Sequence, residues 1–266
     1  MDQIRELWNQ RAATLGEKAG TQDLIAAELE RRAISRYVKD GMRVLDVGCG
    51  TGETVLGLAR QYRLDAWGID SAPEMIRVAR DNALVDGVGE SVVGFQVAEV
   101  LTMNIPAYTG GRADFDLIVS QRLLINLSSW AEQRAAIERI ISWLKPGGLY
   151  LAVECSQDGL DGINELRAMV DLPEIKPPWH NIYLRDIEMD RLSGDLANAR
   201  VARIIDDPEA ICSTYALLSR VVNAKLAQDA GVQPAYDSPI NQMALSLPPN
   251  IGNYGQNRLW VFRRCP

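Results

Sequence analysis

The positions of the apolar residues divide the chain into three parts. Residues 2–14 and 21–39 are polar segments in which apolar residues recur at helical spacing, and Asp40-Gly41 predicts the end of the second helix. From residue 43, short apolar runs alternate with helical stretches of about 10–15 residues, as in parallel βαβ units whose sheet is covered on both faces. After residue 155 this alternation loosens.

The pattern predicts the following elements. Strands are expected at 43–47, 66–69, 92–97, 115–120 and 149–154, helices at 51–62, 73–84 and 130–144, and a turn at 145–148. Beyond these we expect a helix at 159–170, a Pro-rich loop at 172–179, a strand at 200–205, a long helix at 208–230 and a closing strand at 258–262.

Composition is that of a globular protein, with 47% hydrophobic and 24% charged residues in 266. The net charge of −7, with no cluster of Lys and Arg, argues against nucleic acid as a partner. No run of about 18 apolar residues occurs, and the first residues lack an apolar signal region, so we expect neither a membrane partner nor a signal peptide. The scattered cysteines (Cys49, Cys155, Cys212, Cys265) indicate reduced thiols, a cytoplasmic location and no zinc site.

The most informative segment is Val44-Leu45-Asp46-Val47-Gly48-Cys49-Gly50-Thr51-Gly52, between the first predicted strand and helix. Its glycines allow a tight turn and a close approach of the backbone to a ligand. Nicotinamide and flavin enzymes share a G-x-G here, and a turn without a ligand is the simplest alternative. In this chain, however, Glu53 takes the place of the third glycine of G-x-G-x-x-G. Together with Asp46, it favours a cationic ligand over a pyrophosphate.

This nonapeptide resembles motif I of the class I methyltransferases, and further motifs of that family follow in order between residues 40 and 155. The resemblance implies S-adenosylmethionine as the cofactor, with no metal. It also implies one α/β domain over 1–266 with a Rossmann-like, mainly parallel seven-stranded sheet and helices on both faces. In this interpretation, 1–40 form an N-terminal helical cap and 41–155 the cofactor-binding core. Residues 156–266 then supply substrate-binding elements, a C-terminal helical lid insertion and the closing strands.

The resemblance also assigns cofactor contacts. Asp70 matches the acidic residue that holds the ribose hydroxyls, and Met75 the residue that packs on the adenine. Glu99, where the family usually has Asp, would accept the adenine N6 hydrogen, and the backbone of Val100 would meet N1. Helix capping by Asp70 and core packing by Met75 are the structural alternatives. The other predicted cofactor residues are Asp46, Gly48, Cys49 through its backbone, Gly50, Ser71, Gln121 below the sulfonium, and Arg11 at the methionine carboxylate.

Candidate acceptor residues follow the fourth and fifth strands. Arg122 and Asn126 are four residues apart, so on a helical turn they face the same side, where an Arg can hold a carboxylate or phosphate. His180 is the only histidine and has an unperturbed pKa suited to a base near neutrality, although a lone histidine is more often a surface or hydrogen-bonded residue than a base. The remaining candidates are Tyr183, Tyr215 and Arg220, with Thr21, Asp23 and Glu30 from the cap.

The sequence therefore predicts methyl transfer by in-line displacement to oxygen or nitrogen of a small anionic metabolite. Arg122 would orient this acceptor and His180 would act as the base. The protein is expected to be a monomer or homodimer. Two alternatives stay open: an NAD(P)-dependent oxidoreductase, and a module that binds S-adenosylmethionine without catalysis.

Overall fold

The computed structural model describes residues 2–85, 87–88, 91–105, 113–205 and 211–266. Within these ranges one seven-stranded sheet has the order β3-β2-β1-β4-β5-β7-β6. Its strands are β1 Arg43–Val47, β2 Asp65–Asp70, β3 Val92–Val97, β4 Phe115–Gln121, β5 Leu144–Cys155, β6 Ala202–Ile204 and β7 Asn257–Arg264. The strands β1 to β5 run parallel, and β7 pairs antiparallel with β5 and β6. The predicted mainly parallel seven-stranded sheet is confirmed.

Helices cover the sheet and extend its carboxyl edge. The α-helices are α1 Asp2–Leu15, α2 Leu24–Ser35, α3 Glu53–Gln61, α4 Pro73–Val85, α5 Trp130–Ser142, α6 Gln157–Ala168, α7 Asp186–Asn198, α8 Ser213–Ala216, α9 Ala224–Asp229 and α10 Pro239–Gln242. A π-helix spans Leu217–Asn223, and short 3₁₀ turns span Gly16–Ala19, Leu124–Asn126, Met243–Leu245 and Ile251–Asn253. In the ranges described, none of these helices has the length and apolar character needed to cross a bilayer.

Side chains of the central strands point alternately into two apolar layers, because successive residues of a strand face opposite sides. On one face Val44 and Leu117 pack with Leu29 and Ile34 of α2. On the other face Leu45, Ile118 and Tyr150 pack with α5 and α7. Helix α2 therefore covers one face of the sheet.

Helices α7 and α10 were not predicted, and two predicted elements differ in detail. The described part of the predicted helix 208–230 is α8, the π-helix and α9 in direct succession, and 208–210 lie outside the described residues. Strand β5 begins earlier than predicted. Leu144 pairs with Phe115 and Leu149 with Leu117, so the predicted turn 145–148 is an irregularity inside β5.

Candidate active site

The turn between β1 and α3 is formed by glycines with positive φ. Gly48 has φ +75°, and a Cβ there would lie 2.9 Å from Leu123 Cδ1. Gly50 has φ +53°, and a Cβ there would meet nothing within 4 Å because this residue faces a cavity. Both backbone angles favour glycine. The turn thus brings bare backbone to the cavity surface.

Asp70, the last residue of β2, anchors this turn. Its Oδ2 accepts a hydrogen bond from the Gly50 N–H at 3.0 Å, and its Oδ1 accepts one from the Ala72 N–H at 2.8 Å. The carbonyl of Ile69 accepts from the N–H groups of Gly48 and Cys49. Because β1 and β2 are parallel neighbours, their carboxyl ends form a single cradle.

A cavity of about 1240 Å³ lies above this cradle, and we call it the first cavity. Helix α1 closes it with Ile4, Arg5 and Trp8. Apart from Arg11, all the predicted cofactor residues line it: Asp46, Gly48, Cys49, Gly50, Asp70, Ser71, Met75, Glu99, Val100 and Gln121. Met75 is 99% buried and also lines the first cavity, so it packs in the core and contacts the cavity at the same time.

The electrostatics of the first cavity suit a cation. Burial, and then the nearby Asp70, raise the pKa of Asp46 to about 7. Burial also raises the pKa of Asp70. Within the described residues, no hydrogen bond or ion pair to the Asp46 carboxylate offsets its burial. A buried carboxylate without a partner is costly, and a cationic ligand would compensate it. The ammonium and sulfonium groups of S-adenosylmethionine meet this requirement.

A second cavity, of about 1080 Å³, adjoins the first. Gly20, Thr21 and Arg122 line both. Six of the predicted acceptor residues line the second cavity, namely Thr21, Asp23, Arg122, Tyr183, Tyr215 and Arg220. The structure also places Arg11 here, rather than at the first cavity to which the sequence interpretation assigned it.

Arg122 has an unusual conformation at the junction. Its φ is +52°, a left-handed value that is unfavourable for a non-glycine residue. Its Nη1 donates to Glu30 Oε2 at 3.1 Å, and Glu30 is fully buried. Glu30 also accepts from Gln121 Nε2 at 3.2 Å and from Asn257 Nδ2 at 2.6 Å. The positive charge of Arg122 is therefore already compensated from helix α2.

Glu154 stabilises the segment around Arg122 through hydrogen bonds. One of its carboxylate oxygens accepts from Ser120 Oγ at 2.8 Å and from the N–H groups of Leu123 and Leu124 at 3.2 Å. Burial raises the pKa of Glu154 to about 7. These bonds hold the turn that follows β4, and with it the backbone of Arg122.

The helical segment after β6 contacts the N-terminal helices at Asp23. The Tyr215 hydroxyl donates to Asp23 Oδ1 at 2.7 Å, and Arg220 Nη2 lies 3.6 Å from Asp23 Oδ2. In an α-helix, residues five apart point about 140° away from each other. Here the π-helix begins at Leu217, two residues after Tyr215, and its wider turn reduces this angle. The change from α to π bonding thus lies between the two residues that contact Asp23.

The last two predicted acceptor residues lie beside α1. The His180 ring makes edge contacts with Trp8 at 6.0 Å and with Trp179 at 5.3 Å between centroids, and it lines neither cavity. Burial, and then Arg11, lower the pKa of His180. Asn126 lines the first cavity, where its Oδ1 accepts from Trp8 Nε1 at 3.2 Å and its Nδ2 donates to the Arg122 carbonyl at 2.6 Å.

Sequence reasoning missed Trp8 and Glu154. Trp8 lies on a largely polar helix, and no pattern marked it as a cavity residue. Glu154 did carry a signal, since it is an acidic residue near the end of an apolar strand, where a side chain is expected to be buried. In the described parts of the chain, no group of three or more His, Cys, Asp or Glu side chains has an arrangement suited to a metal ion.

Comparison with known proteins agrees with this geometry. The profile of one family, described as a methyltransferase domain, matches residues 38–199. Phosphoethanolamine N-methyltransferase 3 of Arabidopsis thaliana is 34% identical over 117 residues, which are 44% of this chain and 22% of that protein. The chain thus aligns with only about a fifth of the length of this curated relative.

Two solved structures share the fold. The [4+2]-cyclase SpnF superposes with a TM-score of 0.58 at 20% identity, covering 91% of this chain and 81% of that one. Magnesium protoporphyrin IX methyltransferase of Synechocystis PCC 6803, with bound S-adenosylhomocysteine, gives a TM-score of 0.55 at 12% identity, covering 97% and 93%.

The matched profile spans more than half of the chain, and the chain therefore belongs to the methyltransferase domain family. The prediction of a class I, S-adenosylmethionine-dependent methyltransferase is confirmed at the level of family and fold. S-adenosylmethionine is the cofactor of this family, and the buried carboxylates of Asp46 and Asp70 in the first cavity fit it.

Proposed function

We propose that this protein transfers the methyl group of S-adenosylmethionine to oxygen or nitrogen of a small, anionic acceptor that binds in the second cavity. One observation carries the proposal. Two large cavities meet at Gly20, Thr21 and Arg122, and the first is lined by the carboxylates of Asp46, Asp70 and Glu99. Such a junction allows a methyl donor and an acceptor to approach each other in line.

The chain's own part in this chemistry is to bind and position. When bound, the cofactor supplies a methyl group on a sulfonium, a good leaving group. Asp46 and Asp70 would hold its cationic and ribose portions, and Gln121 would lie at the junction. Helix α1 would exclude water, because Trp8 covers the first cavity and is held by Asn126. Positioning of this kind can contribute about 7–11 kcal/mol to catalysis.

The acceptor is proposed from the charges of the second cavity. Its lining includes three arginines, Arg11, Arg122 and Arg220. Glu30 and Asp23 compensate two of these charges, and the net positive charge that remains favours an anion. The Arabidopsis relative is named for an amine acceptor with a phosphate, but its similarity covers less than half of this chain. That similarity supports the transfer chemistry more than the choice of acceptor.

We also propose that the enzyme is cytoplasmic, that it acts as a monomer or homodimer, and that it has no nucleic acid or membrane partner. All four cysteines are free, which is consistent with a reducing compartment. The oxidoreductase alternative is disfavoured by Glu53 at the third glycine position and by the family to which the chain belongs. The remaining alternative is a module that binds the cofactor and does not catalyse.

The experiment has two stages on the full chain, freed of carried-over ligand. Calorimetry should detect binding of S-adenosylmethionine and S-adenosylhomocysteine; no binding of either would end the proposal. The protein is then incubated with methyl-labelled cofactor and fractionated small-molecule extract. Transfer of label to a small molecule, with release of S-adenosylhomocysteine, is the expected result. Tight cofactor binding without transfer in any fraction would instead indicate the non-catalytic module.

A further inference from the structure

The three arginines of the second cavity differ in how their charge is compensated. Arg122 pairs with Glu30 at 3.1 Å, and Arg220 lies 3.6 Å from Asp23. Arg11 donates from Nε to the Ala19 carbonyl at 3.2 Å, and its guanidinium lies 5.4 Å from the centroid of the Trp8 ring. No carboxylate of the described residues pairs with it. Arg11 therefore carries the positive charge that this cavity has left for a ligand.

The same cavity contains two oxygen acceptors with unused capacity. Asp23 Oδ1 accepts from the Ala26 N–H and the Tyr215 hydroxyl, whereas its Oδ2 has only Arg220 at 3.6 Å, beyond hydrogen-bond distance. Asn181 Oδ1 is buried and has no hydrogen-bond partner among the described residues. Buried acceptors without donors are costly, so both oxygens favour a ligand with N–H groups.

Asp23 lies next to the junction between the second cavity and the first cavity, where the methyl donor would bind. Asp23 donates its backbone N–H to Thr21 Oγ1 at 3.1 Å, and Thr21 lines both cavities. The Asp23 carboxylate is therefore on the part of the second cavity that is next to the junction. Arg11, on helix α1, supplies the charge of opposite sign. The cavity therefore combines an uncompensated cation, Arg11, with two oxygen acceptors, of which Asp23 shares its charge with Arg220.

We propose that the second cavity selects a small amine that also carries one anionic group, such as a phosphate or carboxylate. Arg11 holds the anion, and Asp23 Oδ2 and Asn181 Oδ1 accept hydrogen bonds from the amine. This inference rests on the proposed function, because it assigns the second cavity to the acceptor. It transfers the anion-binding role from Arg122 to Arg11, and it makes nitrogen the methylated atom. The lone pair of the amine would form the new N–C bond as the C–S bond of the cofactor breaks, with S-adenosylhomocysteine as the leaving group. The proton that the nitrogen must lose would pass to Asp23 or to water.

The first test uses the wild-type protein saturated with S-adenosylhomocysteine and calorimetry with defined probes. Phosphoethanolamine and β-alanine carry both groups and represent the phosphate and carboxylate cases. Ethanolamine carries the amine alone, and inorganic phosphate and propionate carry the anion alone. At least one two-group probe should bind about tenfold or more tightly than its single-group counterparts, since both charge-assisted contacts contribute. No preference for either two-group probe would overturn the inference.

The second test uses isosteric or near-isosteric variants. Arg11→Gln and Asp23→Asn should each weaken the preferred probe about tenfold, and each should abolish the preference over one single-group probe. Lys18→Gln and Glu17→Gln remove the same charges from exposed neighbouring positions and should change nothing. Unchanged probe binding in Arg11→Gln would overturn the inference. Binding of S-adenosylhomocysteine should be retained throughout, and its absence in the wild type would count against the proposed function instead.

Discussion

The guanidinium of Arg122 lies 3.1 Å from Oε2 of Glu30, a carboxylate with no exposed surface. This contact joins the end of β4, where both cavities meet, to helix α2 on the face of the sheet. Gln121 and Asn257 donate to the same carboxylate. Glu30 thus connects Gln121 of the first cavity, Arg122 of both cavities, and Asn257 at the start of β7. Its charge is structurally important because three donors depend on it.

Glu30→Gln should lower the free energy of unfolding by about 2 kcal/mol. The amide retains the volume but leaves the charge of Arg122 uncompensated and supplies N–H groups where donors already converge. The expected loss is moderate because the Arg122 side chain remains 32% exposed and water screens it. Urea titration measures the change. Glu28→Gln, at a surface ion pair with Arg31 and Arg32, should cost less than about 1 kcal/mol. Equal costs at the two positions would contradict the argument.

The left-handed backbone of Arg122 gives a second prediction. At φ +52° glycine is unstrained and alanine is not, so Arg122→Gly should be more stable than Arg122→Ala by about 1 kcal/mol. Both variants lose the same side-chain contacts, and only the backbone preference differs. The matched pair Arg60→Gly and Arg60→Ala, on an exposed position of α3, should have the opposite sign, since alanine is the better helix former. The same sign at both positions would remove the strain interpretation.

The residues predicted for the cofactor lie together around one cavity because their sequence signals are local. The glycines and Asp46 are contiguous in the chain, and Asp70 follows one strand later, so spacing alone brings them together at one edge of a parallel sheet. The acceptor site depends on long-range packing. Arg11 reaches the second cavity from α1, and a hydrogen bond from Tyr215 to Asp23 spans 192 positions. Contacts between residues so far apart in the chain cannot be predicted from a local sequence pattern.

The π-helix illustrates the same limit. Apolar spacing between 208 and 230 predicted a helix, and helical structure is present at Ser213–Ala216 and beyond. The register of Tyr215 against Arg220 depends on the change from α to π bonding at Leu217, which hydrophobic periodicity does not report. Both residues were nevertheless correctly predicted to lie on a helix before the closing strand.

Cofactor affinity should depend on pH through Asp46. Its raised pKa of about 7 means that it is mostly protonated at pH 6 and mostly ionised at pH 8 in the ligand-free protein. A cationic ligand prefers the ionised form, so affinity for S-adenosylhomocysteine, through its ammonium group, should rise by up to about tenfold from pH 6 to pH 8. Calorimetry in buffers of different ionisation enthalpy should detect proton release on binding.

The variant Asp46→Asn distinguishes the titration of Asp46 from that of Glu154, whose pKa is also raised to about 7. The variant should bind more weakly than the wild type at pH 8 and should have a flatter pH profile. A profile as steep as that of the wild type would show that another group titrates.

The stability of the ligand-free protein should follow the opposite trend. The pKa of Asp46 is about 4 in the unfolded chain and about 7 in the folded protein. At a pH between these values, Asp46 is protonated to a greater extent in the folded state than in the unfolded state. Its contribution to stability is therefore lost as pH rises through this window, at most about 1.4 kcal/mol per pH unit. Asp46→Asn should consequently gain stability relative to the wild type between pH 5 and pH 7 in urea titrations. A difference that is constant with pH would contradict the raised pKa.

The role of His180 is tested by separating turnover from cofactor affinity. Its Nδ1 is buried with no hydrogen-bond partner among the described residues, and its lowered pKa keeps the ring neutral near pH 7, so it can accept a proton. If His180 acts as the base although its ring lines neither cavity, His180→Ala should reduce turnover of the acceptor isolated from extract by about 100-fold or more, while affinity for S-adenosylhomocysteine changes little. The ring also packs against Trp8, which covers the first cavity, so lost packing alone could weaken both quantities. His180→Phe keeps an aromatic ring and removes the nitrogens, and it should be as impaired in turnover as the alanine variant. Recovery of turnover in His180→Phe, or a parallel fall of turnover and affinity in His180→Ala, would assign His180 to packing and leave the reaction without a histidine base.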